Sequence, residues 1–156
     1  MKFLGWSVEG VEVDPQAVME ARAVCLEVRL GSLKEPQYPS NYFNIITMNH
    51  VVEHLHDPVG LLQECHRILQ PKGKLLILIP NLKSLGHRFF RSAWIHIDSP
   101  RHLYLYGFHA LCALAERAGF KVQSLVGIAP GAPFSYVGSS SIAKNGTYIP
   151  ELCRKL

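Results

Sequence analysis

Near its start the chain reads Val8-Glu9-Gly10-Val11-Glu12-Val13-Asp14-Pro15. The apolar residues that close on an acid predict a short strand over residues 8–13. Asp14 can accept hydrogen bonds from the free amides of a helix start, and Pro15 suits the first helical position. The stretch therefore predicts a strand followed at once by a helix.

Strand and helix patterns alternate after this point, which predicts an α/β fold with a mostly parallel sheet covered on both faces. The run at 74–79 is apolar enough to predict burial on both faces of its strand. Residues 82–106 are irregular and aromatic-rich, residues 129–156 give no element prediction, and we expect a single domain over 1–156. The other predicted strands cover 26–30, 43–48 and 121–128, and further helices begin at Pro58 and near Phe108.

Ligands of such sheets bind outside the carboxyl ends of the strands. This rule places Glu12, Ser32, residues 48–52 and Pro80-Asn81 on one rim. In nucleotide-binding domains of this class, an acid that ends the second strand accepts hydrogen bonds from ribose hydroxyls. Glu12 fits that role, so we look for function on this rim.

Composition excludes several classes of protein. The 156 residues are 48% hydrophobic and 18% charged, which is typical of a globular chain and not of a disordered one. The net charge of +4 is spread without a basic run, so we expect no nucleic-acid partner. The apolar run at 75–80 is too short for a membrane span, and we expect no secretory signal, since residues 1–6 carry no long apolar segment. The four dispersed cysteines agree with a cytoplasmic protein without membrane partners.

Four further patterns occur in order and at regular spacing. They are Gly10 to Pro15, Phe43-Asn44-Ile45-Ile46 with Glu53-His54-Leu55, Arg67-Ile68-Leu69-Gln70-Pro71-Lys72-Gly73, and Ile79-Pro80-Asn81. Together they resemble the class I S-adenosylmethionine-dependent methyltransferases, in particular the small-molecule group that includes enzymes of quinone pathways. The segment from Trp94 to Leu103 is similar to that group as well. The resemblance covers residues 5–128 and implies a Rossmann-like three-layer sandwich.

The resemblance implies S-adenosyl-L-methionine as cofactor and carries over residue by residue. Glu12 matches the ribose-binding acid, and Ser32 with Leu33 falls where the family contacts adenine. Asn49 and His50 follow the strand whose end faces the methionine portion and the acceptor. The resulting cofactor-binding set is Glu12, Val13, Ser32, Leu33, Asn49 and His50. A solvated acid at Glu12 and an ordinary turn serine at Ser32 are the structural alternatives.

The segment 82–106 should cover the acceptor site, according to the same resemblance. An imidazole can act as general base towards a hydroxyl acceptor, and His102 is our candidate catalytic residue. The alternative is that His102 only packs within this segment. We interpret Glu53-His54 as a structural feature of the family.

The run His50-Val51-Val52-Glu53-His54 also fits the H-x-x-E-H zinc pattern. That site needs a long helix and a distant third ligand, whereas a strand ends at Met48 and Pro58 follows closely. We therefore expect no metal.

No glycine-rich turn or first strand precedes Glu12, so we interpret the domain as partial and N-terminally truncated. Either the chain is a fragment, or another chain or a rearranged sheet fills the gap. An exposed core at that gap would favour self-association into a homo-oligomer.

Three functions stay open. The first is methyl transfer to a small-molecule acceptor, directed to oxygen. The second is a truncated, non-catalytic domain that serves as a partner or regulatory subunit, which cofactor binding would test. The third is a dinucleotide-dependent oxidoreductase, which the Glu53-His54 and Arg67 to Pro71 patterns disfavour. The chain also lacks an Asn-Pro-Pro-Tyr-like tetrapeptide for a flipped nucleic-acid base.

Overall fold

A computed structural model describes residues 4–127 and 132–145 of the chain. Strands and helices alternate along most of this part, as the sequence predicts. The elements are β1 (Glu9–Glu12), α1 (Pro15–Ala23), β2 (Glu27–Leu30), β3 (Phe43–Asn49), α2 (Pro58–Ile68), β4 (Leu69–Leu78), α3 (Leu85–Phe90), α4 (Phe108–Arg117) and α5 (Ala132–Asn145). Single 3₁₀ turns occupy Val52–His54, Arg91–Ala93 and Ile95–Ile97.

The first two helices begin where the sequence predicts. The Asp14 carboxylate accepts a hydrogen bond from the amide of Gln16 at 2.9 Å, and Pro15 is the first residue of α1. At α2, the Asp57 carboxylate accepts one from the amide of Gly60 at 2.9 Å. Side-chain oxygens thus satisfy amide groups that a helix start leaves free.

The strands form two separate parallel ladders. In one, β1 pairs with β2, and Glu12 lies beside Leu30. In the other, β3 pairs with β4, and Asn49 lies beside Leu78. The parallel direction confirms the α/β prediction, but within residues 4–127 and 132–145 no strand joins the ladders into one sheet. Among the described residues, each of the four strands is therefore paired along one edge only.

Helices α2 and α4 pack against one face of the β3–β4 ladder. The buried cluster between them consists of Met48, Val52, Leu62, Cys65, Leu114 and Ala118. Leu75 and Ile77 of β4 pack against this cluster, whereas Leu76 between them is 52% exposed. Successive side chains of a strand point to opposite faces. The prediction that this strand is buried on both faces is therefore wrong.

Arg67 ties the end of α2 to the segment before β3. Its guanidinium donates to the carbonyl of Tyr38, to the hydroxyl of Ser40 at 3.0 Å and to both oxygens of Glu64. The hydrogen bond from Arg67 lowers the pKa of the Glu64 carboxyl. The Arg67 side chain therefore has a structural role, because its hydrogen bonds hold the loop that leads into β3.

A bulge interrupts the β3–β4 ladder at Pro71-Lys72-Gly73. The register shifts between Phe43 and Ile45, which pair with Leu69 and Lys74. Lys72 takes a φ of +70°, a left-handed conformation that favours glycine. Lysine at this turn is therefore strained, since glycine would adopt the same φ at lower cost.

Two regions differ from the predictions. Residues 121–127 do not pair with any strand in the part of the chain that the structure describes, so the predicted strand at 121–128 is wrong over those positions, and residue 128 lies outside it. An apolar run becomes a strand only where an edge offers hydrogen bonds. Segment 82–106, predicted to be irregular, contains α3, and segment 129–156, for which no element is predicted, contains α5.

None of the helices within 4–127 and 132–145 is both long and apolar enough to cross a membrane.

Candidate active site

Glu12 lies at the carboxyl end of β1, as predicted. One carboxylate oxygen, Oε1, accepts hydrogen bonds from the amides of Val13 at 2.7 Å and Asp14 at 3.0 Å. The backbone carbonyl of Glu12 accepts from the amide of Gly31 at 2.9 Å and so fixes the ends of β1 and β2 together. The local backbone therefore orients the carboxylate through Oε1, while Val13 is 70% exposed on the same edge.

Ser32 and Leu33 follow β2 and have different surroundings. The Ser32 amide donates to Oε1 of Glu35 at 2.9 Å, and the Ser32 side chain is exposed. Leu33 is partly buried and packs against the hydrophobic cluster of the β3–β4 ladder. Leu33 therefore links the end of β2 to the rim of the other ladder.

Asn49 and His50 lie at the carboxyl end of β3. Asn49 is exposed, and His50 adopts a φ of +53° at the point where the chain leaves the strand. The His50 amide donates to the Leu78 carbonyl at 2.9 Å, so the turn is bonded to the end of β4. This turn directs the His50 ring to Glu53.

Glu53 is the most deeply buried acid of the described chain, with 1% of its surface exposed. Its Oε1 lies 3.0 Å from Nδ1 of His50, but its buried Oε2 has no hydrogen-bond partner within residues 4–127 and 132–145. Its backbone carbonyl accepts from the amides of Leu103 at 2.9 Å and Tyr104 at 3.2 Å. Glu53 thus fixes the segment 82–106 to the rim while its carboxylate faces the site.

His102 and His54 stand next to Glu53, and backbone carbonyls fix their tautomers. Nδ1 of His102 lies 2.8 Å from the His96 carbonyl, and Nδ1 of His54 lies 2.9 Å from the Arg101 carbonyl. A carbonyl only accepts, so each Nδ1 carries the proton. In the neutral rings, each Nε2 is left with a free lone pair.

His96 completes the group of histidines. Its ring is stacked on that of His50 with 6.4 Å between centroids, and its Nε2 lies 2.8 Å from the Ser135 hydroxyl of α5. Burial lowers the pKa of His96, the nearby His50 and His102 lower it further, and Asp98 opposes them. The uncharged ring is thereby favoured.

The predicted residues fall into two groups. His50 and His102 meet around Glu53, and Leu33 contacts the neighbouring core. The Glu12 carboxylate and the Ser32 amide, in contrast, bond only to residues within three positions of themselves among those the structure describes. The prediction did not include Glu53 or His96 as site residues. The Glu53-His54 dipeptide was the available signal for Glu53, but its burial and its contact with His102 depend on the fold.

A family model described as a methyltransferase domain matches residues 1–125 of the chain. This chain is a member of the class I S-adenosylmethionine-dependent methyltransferase family. A protein of Mycolicibacterium smegmatis named as a "probable S-adenosylmethionine-dependent methyltransferase" is 30% identical over 134 residues, which is 80% of this chain and 48% of that one. The ubiquinone biosynthesis O-methyltransferase of Xanthomonas oryzae pv. oryzae is 29% identical over 84 residues, 49% of this chain and 35% of that enzyme.

Solved structures agree on the fold. The crystal structure of a SAM-dependent methyltransferase from Archaeoglobus fulgidus matches with a TM-score of 0.66 and 19% identity, over 94% of this methyltransferase chain and 73% of that one. The likeness confirms the Rossmann-like fold. The chain spans about half or less of the two curated relatives named above.

S-Adenosyl-L-methionine is the cofactor of this family, and the end of β1 suits it. A carboxylate has two acceptor oxygens, and the structure engages Oε1 of Glu12 with backbone amides. Oε2 remains suited to the vicinal hydroxyls of a ribose. The remaining acceptor oxygen at this edge therefore fits the hydroxyl donors of the group that the family binds.

Proposed function

We propose that this methyltransferase chain transfers a methyl group from S-adenosyl-L-methionine to a hydroxyl of a small molecule. The observation that carries the proposal is the burial and orientation of the His102 ring. Its side chain is 7% exposed, its Nδ1–H is held by a carbonyl, and its Nε2 lies 4.0 Å from Oε1 of Glu53. A neutral imidazole with a fixed free lone pair is what a general base requires.

When bound, the cofactor supplies a methyl group on a positively charged sulfur, and that sulfur leaves with the carbon–sulfur bond pair. The protein therefore mainly has to align the reactants and accept a proton. Glu12 would hold the ribose, and Val13, Ser32, Leu33, Asn49 and His50 would line the remainder of the cofactor site. His102 would take the hydroxyl proton on Nε2, and the Glu53 carboxylate would stabilise the resulting imidazolium.

The choice of oxygen and of a small acceptor rests on two supports. One relative is named as an O-methyltransferase of ubiquinone biosynthesis, whose name points to a small hydroxylated acceptor. The second support is the proposed base, His102. A hydroxyl must lose its proton during methylation, whereas a neutral amine need not lose one beforehand. A cytoplasmic location, self-association and the absence of nucleic-acid and membrane partners remain predictions.

The second candidate is a non-catalytic methyltransferase-like domain that acts as a partner or regulatory subunit. The separation of the described strands into two ladders favours it, because the cofactor site of the family spans the middle of a joined sheet. A non-catalytic domain need not bind the cofactor, so a measured loss of cofactor binding would favour this candidate over the enzyme.

The test is transfer of a labelled methyl group from S-adenosyl-L-methionine to a panel of catechols and hydroxybenzoates. A matched panel of amines provides the control for oxygen selectivity. Labelled methyl ethers from the hydroxylated panel alone would support the proposal. Methylated amines without ethers would contradict the oxygen assignment. A folded chain that binds no cofactor and yields no product from either panel would favour the non-catalytic candidate.

A further inference from the structure

The geometry around Glu53 points to a binding site for one divalent transition-metal ion, and we propose Glu53, His54 and His102 as its ligands. One ligand atom from each residue lies within 4.8 Å of the other two. This cation site shares His102 with the proposed methyl transfer, so a bound ion and a proton would compete for the same nitrogen. Its test needs neither cofactor nor acceptor, so the two proposals can fail separately.

The buried carboxylate of Glu53 provides the first argument. Glu53 is 1% exposed, yet its Oε2 has no hydrogen-bond partner among the residues that the structure describes. A buried carboxylate with an unsatisfied oxygen is costly, and such groups are usually paired or bound to a metal. A cation at Oε2 would remove that cost.

The orientation of the two imidazoles provides the second argument. His54 and His102 each donate their Nδ1–H to a backbone carbonyl, of Arg101 and His96 respectively. Metal-binding histidines usually donate the second ring N–H in this way, because the hydrogen bond fixes the ring and makes the other nitrogen a better ligand. The free Nε2 atoms are therefore the expected metal-binding positions.

The donor types and their spacing restrict the metal. Two imidazoles and one carboxylate suit zinc and similar first-row ions, and three protein ligands leave a fourth position open. Ligand atoms about 2.0–2.1 Å from a tetrahedral zinc stand about 3.3 Å apart. The three candidate ligand atoms lie within 4.8 Å of one another, so the side chains would have to move closer together to hold one ion.

This ligand set differs from that of the H-x-x-E-H pattern. Nδ1 of His50 lies 3.0 Å from Glu53 Oε1, and the ring of His50 stacks on His96. His102 therefore takes the place that the linear pattern would give to His50. Nε2 of His102 has a single lone pair, so at any moment it holds either the metal or a proton.

The experiment is calorimetric titration of the metal-stripped chain with zinc chloride, repeated with cobalt chloride to record visible absorption. We expect one Zn²⁺ per chain and a cobalt spectrum typical of four-coordinate nitrogen and oxygen ligands. His54→Ala, His102→Ala and Glu53→Gln should each weaken zinc binding at least about tenfold. His109→Ala, which removes an exposed histidine of α4, is the matched control and should bind as the unaltered chain does.

Circular dichroism would show whether each variant is folded. His54 is exposed, so His54→Ala decides the test even where a variant at buried Glu53 fails to fold. The proposal is wrong if the folded chain binds no zinc, or if His54→Ala binds it as tightly as the unaltered chain. An equal loss in His109→Ala would assign the ion to scattered surface histidines and would also overturn it.

Discussion

Nε2 of His102 lies 4.0 Å from Oε1 of Glu53, with both side chains almost completely buried. The two residues come from separate segments, and the backbone brings them together. The Glu53 carbonyl binds the amides of Leu103 and Tyr104, directly after His102. The 3₁₀ turn after β3 and the segment 82–106 are therefore connected at this point.

His102→Gln should abolish turnover while leaving cofactor binding unchanged. Glutamine approximates the size of histidine but cannot accept the proton, and a general base contributes about 100-fold or more to rate. The measurement is labelled-methyl transfer to an acceptor that the unaltered chain uses, together with calorimetric titration of S-adenosylhomocysteine. His109→Gln is the control. Unchanged turnover in His102→Gln would show that His102 only packs in the segment.

Leu62→Ala should cost about 2–5 kcal/mol of unfolding free energy. Leu62 is fully buried between the β3–β4 ladder and α4, so its loss removes apolar burial and leaves a cavity. Chemical denaturation followed by circular dichroism measures the difference. Leu85→Ala, at a position 79% exposed, should change stability by less than about 0.5 kcal/mol. Equal effects in the two variants would contradict the described core.

Lys72→Gly should raise the unfolding free energy by about 0.5–1 kcal/mol, because glycine adopts a positive φ without strain. The matched variant is Lys74→Gly, at an exposed position of β4 that pairs with Ile45 in extended conformation. There glycine should cost about 0.5–1 kcal/mol. Opposite signs in the two denaturation experiments are expected, and a destabilised Lys72→Gly would argue against the left-handed turn.

The thiol of Cys65 should resist alkylation in the native chain. Burial raises its pKa to about 12, so at pH 8 only about one thiol in ten thousand is ionised, and it is enclosed by the core. Iodoacetamide labelling followed by peptide mass spectrometry should find Cys65 unmodified until denaturant unfolds the chain. Raising the pH from 7 to 9 should leave native labelling low. Rapid native labelling at Cys65 would show that α2 does not cover it.

The sequence predicts local structure well where the signal itself is local. Asp14 with Pro15 marks the start of α1, and Pro58 marks that of α2, because caps and proline act within one turn. Burial was predicted less well. Leu76 lies in an apolar run that predicts burial, but it is exposed because the helices cover the other face of β4.

The candidate site shows the same division. Glu12 could be placed at a strand end from its neighbours alone, and the structure has it there. The contact between Glu53 and His102 could not be predicted, because hydrogen bonds between distant backbone segments create it. Oε2 of Glu53 is buried without a hydrogen-bond partner among the described residues, and this burial also results from packing that the sequence does not indicate.

We propose that this chain holds the cofactor of its family through Glu12. Calorimetric titration of the purified 156-residue chain with S-adenosylhomocysteine tests it most directly, with Glu12→Ala beside it and Glu20→Ala as the control at an exposed acid of α1. We expect saturable one-to-one binding that weakens in Glu12→Ala and is unchanged in Glu20→Ala. A folded chain that binds no S-adenosylhomocysteine, or binds it equally well without the Glu12 carboxylate, would contradict it.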